Sequence, residues 1–445
     1  LIGVMVIAES FGIKKRIGFF VFFIIFLLVP PDGAQAESLE ASGLAALIQL
    51  GLENSLDRSA ARWESKIQNE NEILGSRARN IPQIILTASS QKYHYDSLYE
   101  TGTGNFVNND GRRSAFGITV SYDLQKLFDA DAELAKRSSR RSKIQEKISG
   151  RDVIRNIKKG YYGIVAVQSE IDELKKVITL FARIEKILKK QKGLGIYNEI
   201  ERKQFQLQKS ILESDLGVRS SDLEAAYFQL SLVMNVSAED LKERVAKIKE
   251  RPKLYFAPSK ISPEKLSALS DPDILESLGG NYDLAKTEYE SFHSLALPTV
   301  YVREAREMPT MPSSEGPQTI TEVGLSFPID SFFTRSARKS QLSAKSEKAE
   351  VLFRKALLEY RDQIRLNAMN MRRYQDQASR FEATRKDAES LLDKSFLFYA
   401  QKRIDVLGTL DIFQKYLQAV RNDLNNKLQI QVTDAELEYL VGRGA

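Results

Sequence analysis

From about Asp129 to Gln191 the chain runs without a proline, and its apolar residues recur at three- and four-residue steps. Ile171, Leu174, Ile178, Phe181, Ile184 and Leu188 make one such stripe, with Glu, Lys and Asp between them. A second run, from about Ala337 to Tyr399, repeats the pattern through Leu357, Tyr360, Ile364, Tyr374, Phe381, Leu391 and Leu392. Periodicity this much longer than a globular helix predicts coiled-coil rods. At about 1.5 Å per residue each would span roughly 90–100 Å. The first rod breaks at Gly193-Leu194-Gly195 and leads into a helix over about 198–235. The second breaks near Gln401 to Asp405, and its return helix to about residue 441 carries Leu407, Leu410, Phe413, Leu417, Val420, Leu424 and Leu428 on one face. Each rod and return therefore reads as an antiparallel helical hairpin.

A different period precedes each rod. Phe116, Ile118, Val120, Tyr122 and Leu124 alternate with Ala115, Gly117, Thr119, Ser121 and Asp123. Later, Val323, Leu325, Phe327 and Ile329 alternate with Glu322, Gly324, Ser326 and Pro328. Alternation of large apolar with small or polar residues predicts strands with two unlike faces. Partner strands are expected over 83–95 and 299–306, with turn-rich loops at 96–113 and 308–318. Tyr93, Tyr95, Tyr122, Phe332 and Phe333 fit an aromatic girdle around such strands.

The order helix, strand pair, rod, break, return helix thus occurs twice, and such a repeat fixes the fold class as mainly α with a β portion. The first repeat covers 37–245 and the second 262–445, with a proline-containing linker at 246–261. Four strands cannot close a membrane barrel, which needs at least about eight. Open strand edges also have no place in lipid. If the strands are membrane-bound, the chain must pool them with copies of itself, apolar faces to lipid and Gly/Ser/Thr faces to a lumen.

Composition changes the picture in three places. Lys14, Lys15 and Arg16, the apolar run from Gly18 to Val29, and Ala34-Gln35-Ala36 read as a secretory signal peptide over 1–36, with Met5 a plausible start. The absence of cysteine excludes disulfides, thiolate metal sites and a lipid anchor of the lipoprotein type. Net charge is +6 with both signs mixed along the chain, which suits solvated helix faces better than nucleic acid. The basic stretch from Lys126 to Lys159 is the exception, read as a solvated or headgroup-facing surface.

Three short segments resemble one family. Ser76-Arg77-Ala78-Arg79-Asn80-Ile81-Pro82-Gln83 is similar to a helix-to-strand junction, Val323-Gly324-Leu325-Ser326-Phe327-Pro328-Ile329 to a strand-to-rod exit, and Ile404-Asp405-Val406-Leu407-Gly408-Thr409-Leu410-Asp411 to a hairpin turn. In this order and spacing they resemble the TolC-like outer-membrane efflux proteins over essentially the whole mature chain. That resemblance implies a homotrimer with a twelve-stranded β-barrel in the outer membrane, continuing into a periplasmic α-helical barrel. It implies a periplasmic adaptor (membrane fusion protein) and an inner-membrane transporter as partners, serving efflux or type I secretion. It also implies a gate at the hairpin turns from Glu201, Tyr399, Arg403, Asp405 and Asp411, and docking near Gly193, Gly195, Asn198, Gln401 and Lys402. Lys402 and Gly408 depart from the family pattern. Rings of carboxylates in a narrow lumen would favour cations; alternatively, Glu201, Asp405 and Asp411 simply complement helix dipoles.

Enzyme chemistry finds little footing. His94 and His293 have no neighbours at metal-ligand spacing and form no triad, Gly102 and Gly104 precede no helix, and no cofactor is expected. Trp63 reads as a core residue on an amphipathic helix. A soluble periplasmic coiled-coil adaptor or scaffold is the alternative, although two hairpins with bare strand pairs suit it poorly. The exported cargo is not encoded in any pattern here.

Overall fold

The computed structural model describes residues 43–78, 81–99, 106–124, 131–193, 199–248, 270–292, 297–309, 318–327, 329–401 and 403–442. The expected signal segment, most of the linker, His293, Gly195, Asn198 and Lys402 lie outside them. In chain order the elements are α1 (Leu44–Asn54), α2 (Leu56–Ala78), β1 (Gln83–Tyr99), β2 (Phe106–Asp123), α3 (Asp131–Gly193) and α4 (Glu199–Met234). There follow α5 (Ala238–Lys247), α6 (Pro272–Glu290), β3 (Thr299–Pro309), β4 (Gln318–Ser326), α7 (Ile329–Ala400) and α8 (Val406–Val441). The sequence α2-β1-β2-α3-α4 is thus repeated as α6-β3-β4-α7-α8. The rods α3 and α7 run unbroken for 63 and 72 residues, as expected where no proline interrupts the hydrogen-bond ladder.

The strands form one antiparallel sheet in the order β1-β2-β3-β4. Its register sorts the alternation into two faces. Ile84, Leu86 and Ala88 oppose Val120, Ile118 and Phe116, and Val120 and Tyr122 oppose Val302 and Val300, which in turn oppose Val323 and Leu325. The other face carries Gln83, Ile85, Thr87, Ser89, Ala115, Gly117, Thr119 and Ser121, continued by Tyr301, the pair Arg303 and Glu322, and Ala305 opposite Ile320. On β3 the apolar face stops at Val302, and Glu304 and Arg306 take the next positions. β1 and β2 extend past the expected loop borders to Tyr99 and from Phe106, with a register shift between Tyr95 and Leu98. Turn-forming residues such as Asn109 and Asp110 pair with Tyr95 and His94 across the sheet, so ladder hydrogen bonding overrides their local preference.

The helices lie side by side. Next to the sheet α2 packs on α3, and α6 packs on both α3 and α7; toward the hairpin turns α4 and α8 flank α3, and α7 packs on α8. Three apolar clusters follow one another along this wall. One gathers Phe181, Phe205, Phe413 and Tyr416 near the turns. A second holds Ile144, Ile274, Tyr360, Ile364 and Leu437. A third joins Leu47, Ile157, Tyr161, Leu230, Met234 and Leu241, where the short α1 packs on the rod and α5 on α4. Gly51 makes the α1 contact close, since a Cβ there would lie 2.2 Å from Ile157 Cδ1.

The end of the second hairpin is tied to the start of α6. Asp271 caps α6 by accepting from the Asp273 amide at 2.8 Å, and Arg151 of α3 pairs with both Asp271 and Asp273. The Tyr360 hydroxyl accepts from the Asp271 amide at 3.0 Å and donates to the Leu440 carbonyl at 2.5 Å. Gly442 ends α8 at φ 72°, and a Cβ there would come 2.4 Å from Asp271 Oδ2, so both conformation and space require glycine. The basic stretch of α3 is therefore only partly a surface. Arg151, Arg155, Lys158 and Lys159 pair with acids of α3, α6 and α8, namely Asp271, Asp152, Glu438 and Glu436.

Trp63 corrects the sequence reading. It is 63% exposed, as are Leu56, Ile67 and Leu74 at comparable levels. At steps of seven, four and seven these residues form a heptad seam turned away from the chain's own core. Two outcomes are expected. Tyr360→Phe should cost about 1–3 kcal/mol by stranding a buried amide and carbonyl, read as a lower denaturation midpoint. Asp434 is pushed up to about 6, chiefly by burial and then by the charge of Glu438. A raised folded pKa means its stability contribution is full below about pH 4 and lost as pH rises through about 6. Asp434→Asn should therefore stabilise the protein at pH 7.5 and not at pH 3.5 in thermal melts.

Candidate functional site at the hairpin turns

At the far end of the rods backbone hydrogen bonds carry the chain into the turn of the second hairpin. The Gln401 amide donates to the Leu397 carbonyl at 3.0 Å and the Arg403 amide to the Phe398 carbonyl at 2.8 Å. Asp405 then caps α8: its Oδ1 accepts from the Gly408 amide at 2.8 Å, and its carbonyl accepts from the Thr409 amide and hydroxyl. A Cβ at Gly408 would sit 3.0 Å from Asp405 Oδ1, a tight contact that a small shift of the carboxylate relieves, so the cap does not require glycine there.

Under the turn, aromatic packing locks both hairpins together. The Phe181 ring lies 4.5 Å from Phe205 and 4.8 Å from Phe413 between centroids, within the range of favourable ring contacts. Tyr399, in the last turn of α7, is 4% exposed. Among the described residues its buried hydroxyl finds no hydrogen-bond partner. Burial first, and the charge of Glu201 second, push that hydroxyl up to about 12.

The structure thus brings Glu201, in the first turn of α4, into the electrostatic reach of Tyr399. Arg403 and Asp405 are exposed in the turn itself, beside the exposed Gln401. Asp411 stands further along α8 and pairs with Lys415 at 2.7 Å. Gly193 is the last residue of α3. The described residues contain no group of three or more acids or histidines able to hold a metal. Nor do they contain a helix long and apolar enough to cross a membrane.

Sequence reasoning missed a belt of charge higher on the rods. Arg385 of α7 reaches Glu173 of α3 at 2.8 Å and Asp423 of α8 at 3.1 Å, and the Tyr416 hydroxyl donates to the other oxygen of Glu173. Arg421 of α8 reaches Glu170 of α3 at 2.6 Å and Asp215 of α4 at 3.2 Å, and Arg219 adds a second contact to Glu170 at 3.2 Å. Burial opposes the charge of Arg385, but Asp423 and Glu173 outweigh it and raise its pKa. Glu173 lies more than 200 residues from Arg385, and Glu170 and Asp215 more than 200 from Arg421, while Asp423 lies 38 from Arg385 across the second hairpin, so no local spacing announces them. Glu173 lies twenty residues before Gly193, roughly 30 Å from the turn along the helix.

Removing Arg385 would leave Asp423, which is 1% exposed, with Lys427 as its remaining partner at 2.9 Å. Arg385→Leu should therefore cost about 1–3 kcal/mol, and the double change Arg385→Leu with Lys427→Leu, which leaves the buried carboxylate without a cation, about 3–5 kcal/mol. Denaturant titration of the two variants checks the pattern.

Several solved structures share this fold. The chain superposes on the CmeC outer-membrane channel of Campylobacter jejuni with a TM-score of 0.74 at 14% identity, covering 93% of each chain. It superposes on the outer-membrane protein VceC of Vibrio cholerae with 0.73 at 13%, covering 90% of this chain and 96% of that one. Against the open state of the MtrE outer-membrane channel of Neisseria gonorrhoeae the TM-score is 0.70 at 14%, with 90% and 88% covered. No family model and no curated protein sequence matches the chain. The chain therefore has the fold of outer-membrane channels of this kind, mainly helical with a small antiparallel sheet, as the resemblance of the three sequence segments implied for a single chain.

Proposed function

We propose that the protein is one subunit of an outer-membrane export duct, a passive conduit and not an enzyme. The observation that carries this reading is a pair of open edges. The sheet ends in β1 on one side and β4 on the other. The helical wall ends in α2 and α4 on the β1 side and in α7 on the β4 side. On α4, Ile200, Leu207, Ile211 and Val218 are 45–69% exposed, again at steps of seven, four and seven. On α7, Val351, Leu358, Leu366 and Met369 are 57–66% exposed. Two different open edges on one chain suit a head-to-tail interface, which closes into a ring when the rotation permits. Closure would pair every strand edge and cover every seam.

The number of copies is taken as three, from the likeness to the TolC-like family, giving a twelve-stranded barrel. The apolar face of the sheet would meet lipid and the Arg303–Glu322 face the lumen. The hairpin turns would meet a periplasmic adaptor and an inner-membrane transporter, which supply the energy. Glu201, Tyr399, Arg403, Asp405 and Asp411 would line or brace the periplasmic opening. The scaffold alternative finds less support, because a soluble protein gains nothing from an exposed sheet face bearing Leu86, Phe116 and Val323.

Two experiments test this. Leu207→Glu with Ile211→Glu should abolish the heat-modifiable, trimer-sized band in outer-membrane fractions; a trimer that survives would remove the edge-to-edge reading. Asn caps helices as well as Asp does, so Asp405→Asn isolates charge from capping. In planar bilayers it should weaken cation preference without lowering the melting temperature. Unchanged selectivity would leave Asp405 a cap and nothing more.

A further inference from the structure

Where the sheet gives way to the rods, exposed apolar surface yields to cations. The apolar row of β4, Val323 and Leu325, is followed past the sheet by the exposed Phe327, Ile329 and Phe333. Below Phe333 no large apolar side chain of α7 is exposed until Val351. Between Thr334 and Ser346 α7 carries Arg335, Arg338, Lys339 and Lys345 and no acid. The other edge helix ends alike, with Arg77 and Arg79 and no acid from Ile73 to Ile81. Lys345 is turned to Glu288 of α6, and Arg335 lies over the Phe292 ring. Arg77, Arg338 and Lys339 are exposed, and among the described residues no carboxylate lies within ion-pair distance of them.

Contacts across the wall fix the heights of these groups. Gly75 of α2 abuts α3, where its Cβ would lie 3.4 Å from Ala135 Cβ. Helices α3 and α6 run in opposite directions, since Arg151 meets Asp271 and Arg141 meets Asn281. Stepping up from Arg141 to Leu134 on α3 therefore matches stepping from Asn281 to Glu288 on α6. Glu288 in turn pairs with Lys345 of α7, so Gly75 and Lys345 stand at one height. At about 1.5 Å per residue, Arg77 rises about 3 Å above that height, Arg338 and Lys339 about 10 Å and Phe333 about 18 Å. Ring closure keeps these heights and sets α7 of one copy beside α2 of the next. With Phe333 at the hydrocarbon rim, a headgroup layer of about 5–8 Å reaches Arg338 and Lys339, and Arg77 extends toward it from below.

We infer that each junction between neighbouring copies holds an anionic phospholipid of the periplasmic leaflet. Its phosphate would rest on Arg77 of one copy and on Arg338 and Lys339 of the next, with its acyl chains against Ile329 and Phe333. The inference rests on the duct reading and adds a ligand to the seam. Closing the ring without an anion would gather three like charges beside a low-dielectric layer, where repulsion is poorly screened. Cations clustered next to a membrane-embedded surface select anionic over zwitterionic lipid. The exposed apolar residues directly above them favour a lipid over a free phosphate.

The test uses the oligomer of the full chain, purified from outer membranes and stripped of lipid. Dioleoyl phosphatidylglycerol, dioleoyl phosphatidylethanolamine or inorganic phosphate is added, and native mass spectrometry and the melting of the heat-modifiable band are read. Phosphatidylglycerol should bind up to one molecule per junction, at least tenfold tighter than phosphatidylethanolamine, and raise the melting temperature. Arg77→Gln with Arg338→Gln and Lys339→Gln should weaken that binding at least tenfold and abolish the shift. Without lipid, the triple variant should melt no lower than the unaltered chain, because it has lost only repulsion. Equal binding of the two lipids, equal protection by inorganic phosphate, lipid retained by the triple variant, or a lower lipid-free melt for it would overturn the inference. An oligomer that assembles and binds no lipid removes this site alone, whereas a chain that stays monomeric in outer membranes removes the duct.

Discussion

Everything in this chain depends on backbone and apolar groups that it cannot satisfy alone. β1 and β4 leave ladder donors and acceptors open, and a sheet placed in lipid would have no water to satisfy them. The heptad seams of α2, α4 and α7 leave large apolar side chains such as Trp63, Leu207 and Leu358 more than half exposed. At about 25 cal/mol per Å² of apolar surface, seams of this length are a strong drive to associate. A copy docked head to tail relieves both problems at once, in sheet and wall alike.

Against those open edges, the interior of the chain is over-determined. Each level of the wall has its own lock: the Tyr360–Asp271–Leu440 bridge with Gly442, the Arg385 belt, and the aromatic stack around Phe181 under the turns. Such a wall suits a rigid stave. At the turn below it stand a capping carboxylate, Asp405, and a buried tyrosine, Tyr399, near the charge of Glu201.

Much of this architecture was legible in the sequence because it rests on period. The stripe from Ile171 to Leu188 and the alternation from Ala115 to Leu124 report helix and strand directly, and their repetition reports the fold. Strand ends were less legible, since pairing with Tyr95 and His94 pulled Asn109 and Asp110 out of the expected loop. Trp63 was misjudged because a heptad seam left on the surface has the same spacing as one facing the core. At the turns, Asp405 could be placed but its capping bond to Gly408 could not. The Arg385 and Arg421 contacts were invisible, since they join helices remote in sequence.

Closure of the ring is the central claim, and the chain's lack of cysteine makes it directly measurable. A scan of cysteine pairs, one on β1 near Leu86 and one on β4 near Val323, can be oxidised in outer membranes and run on denaturing gels. Head-to-tail edges predict disulfide-linked species of two and three copies for pairs in register, with nothing larger than three. Products confined to single chains, or a ladder continuing past three copies, would contradict the account.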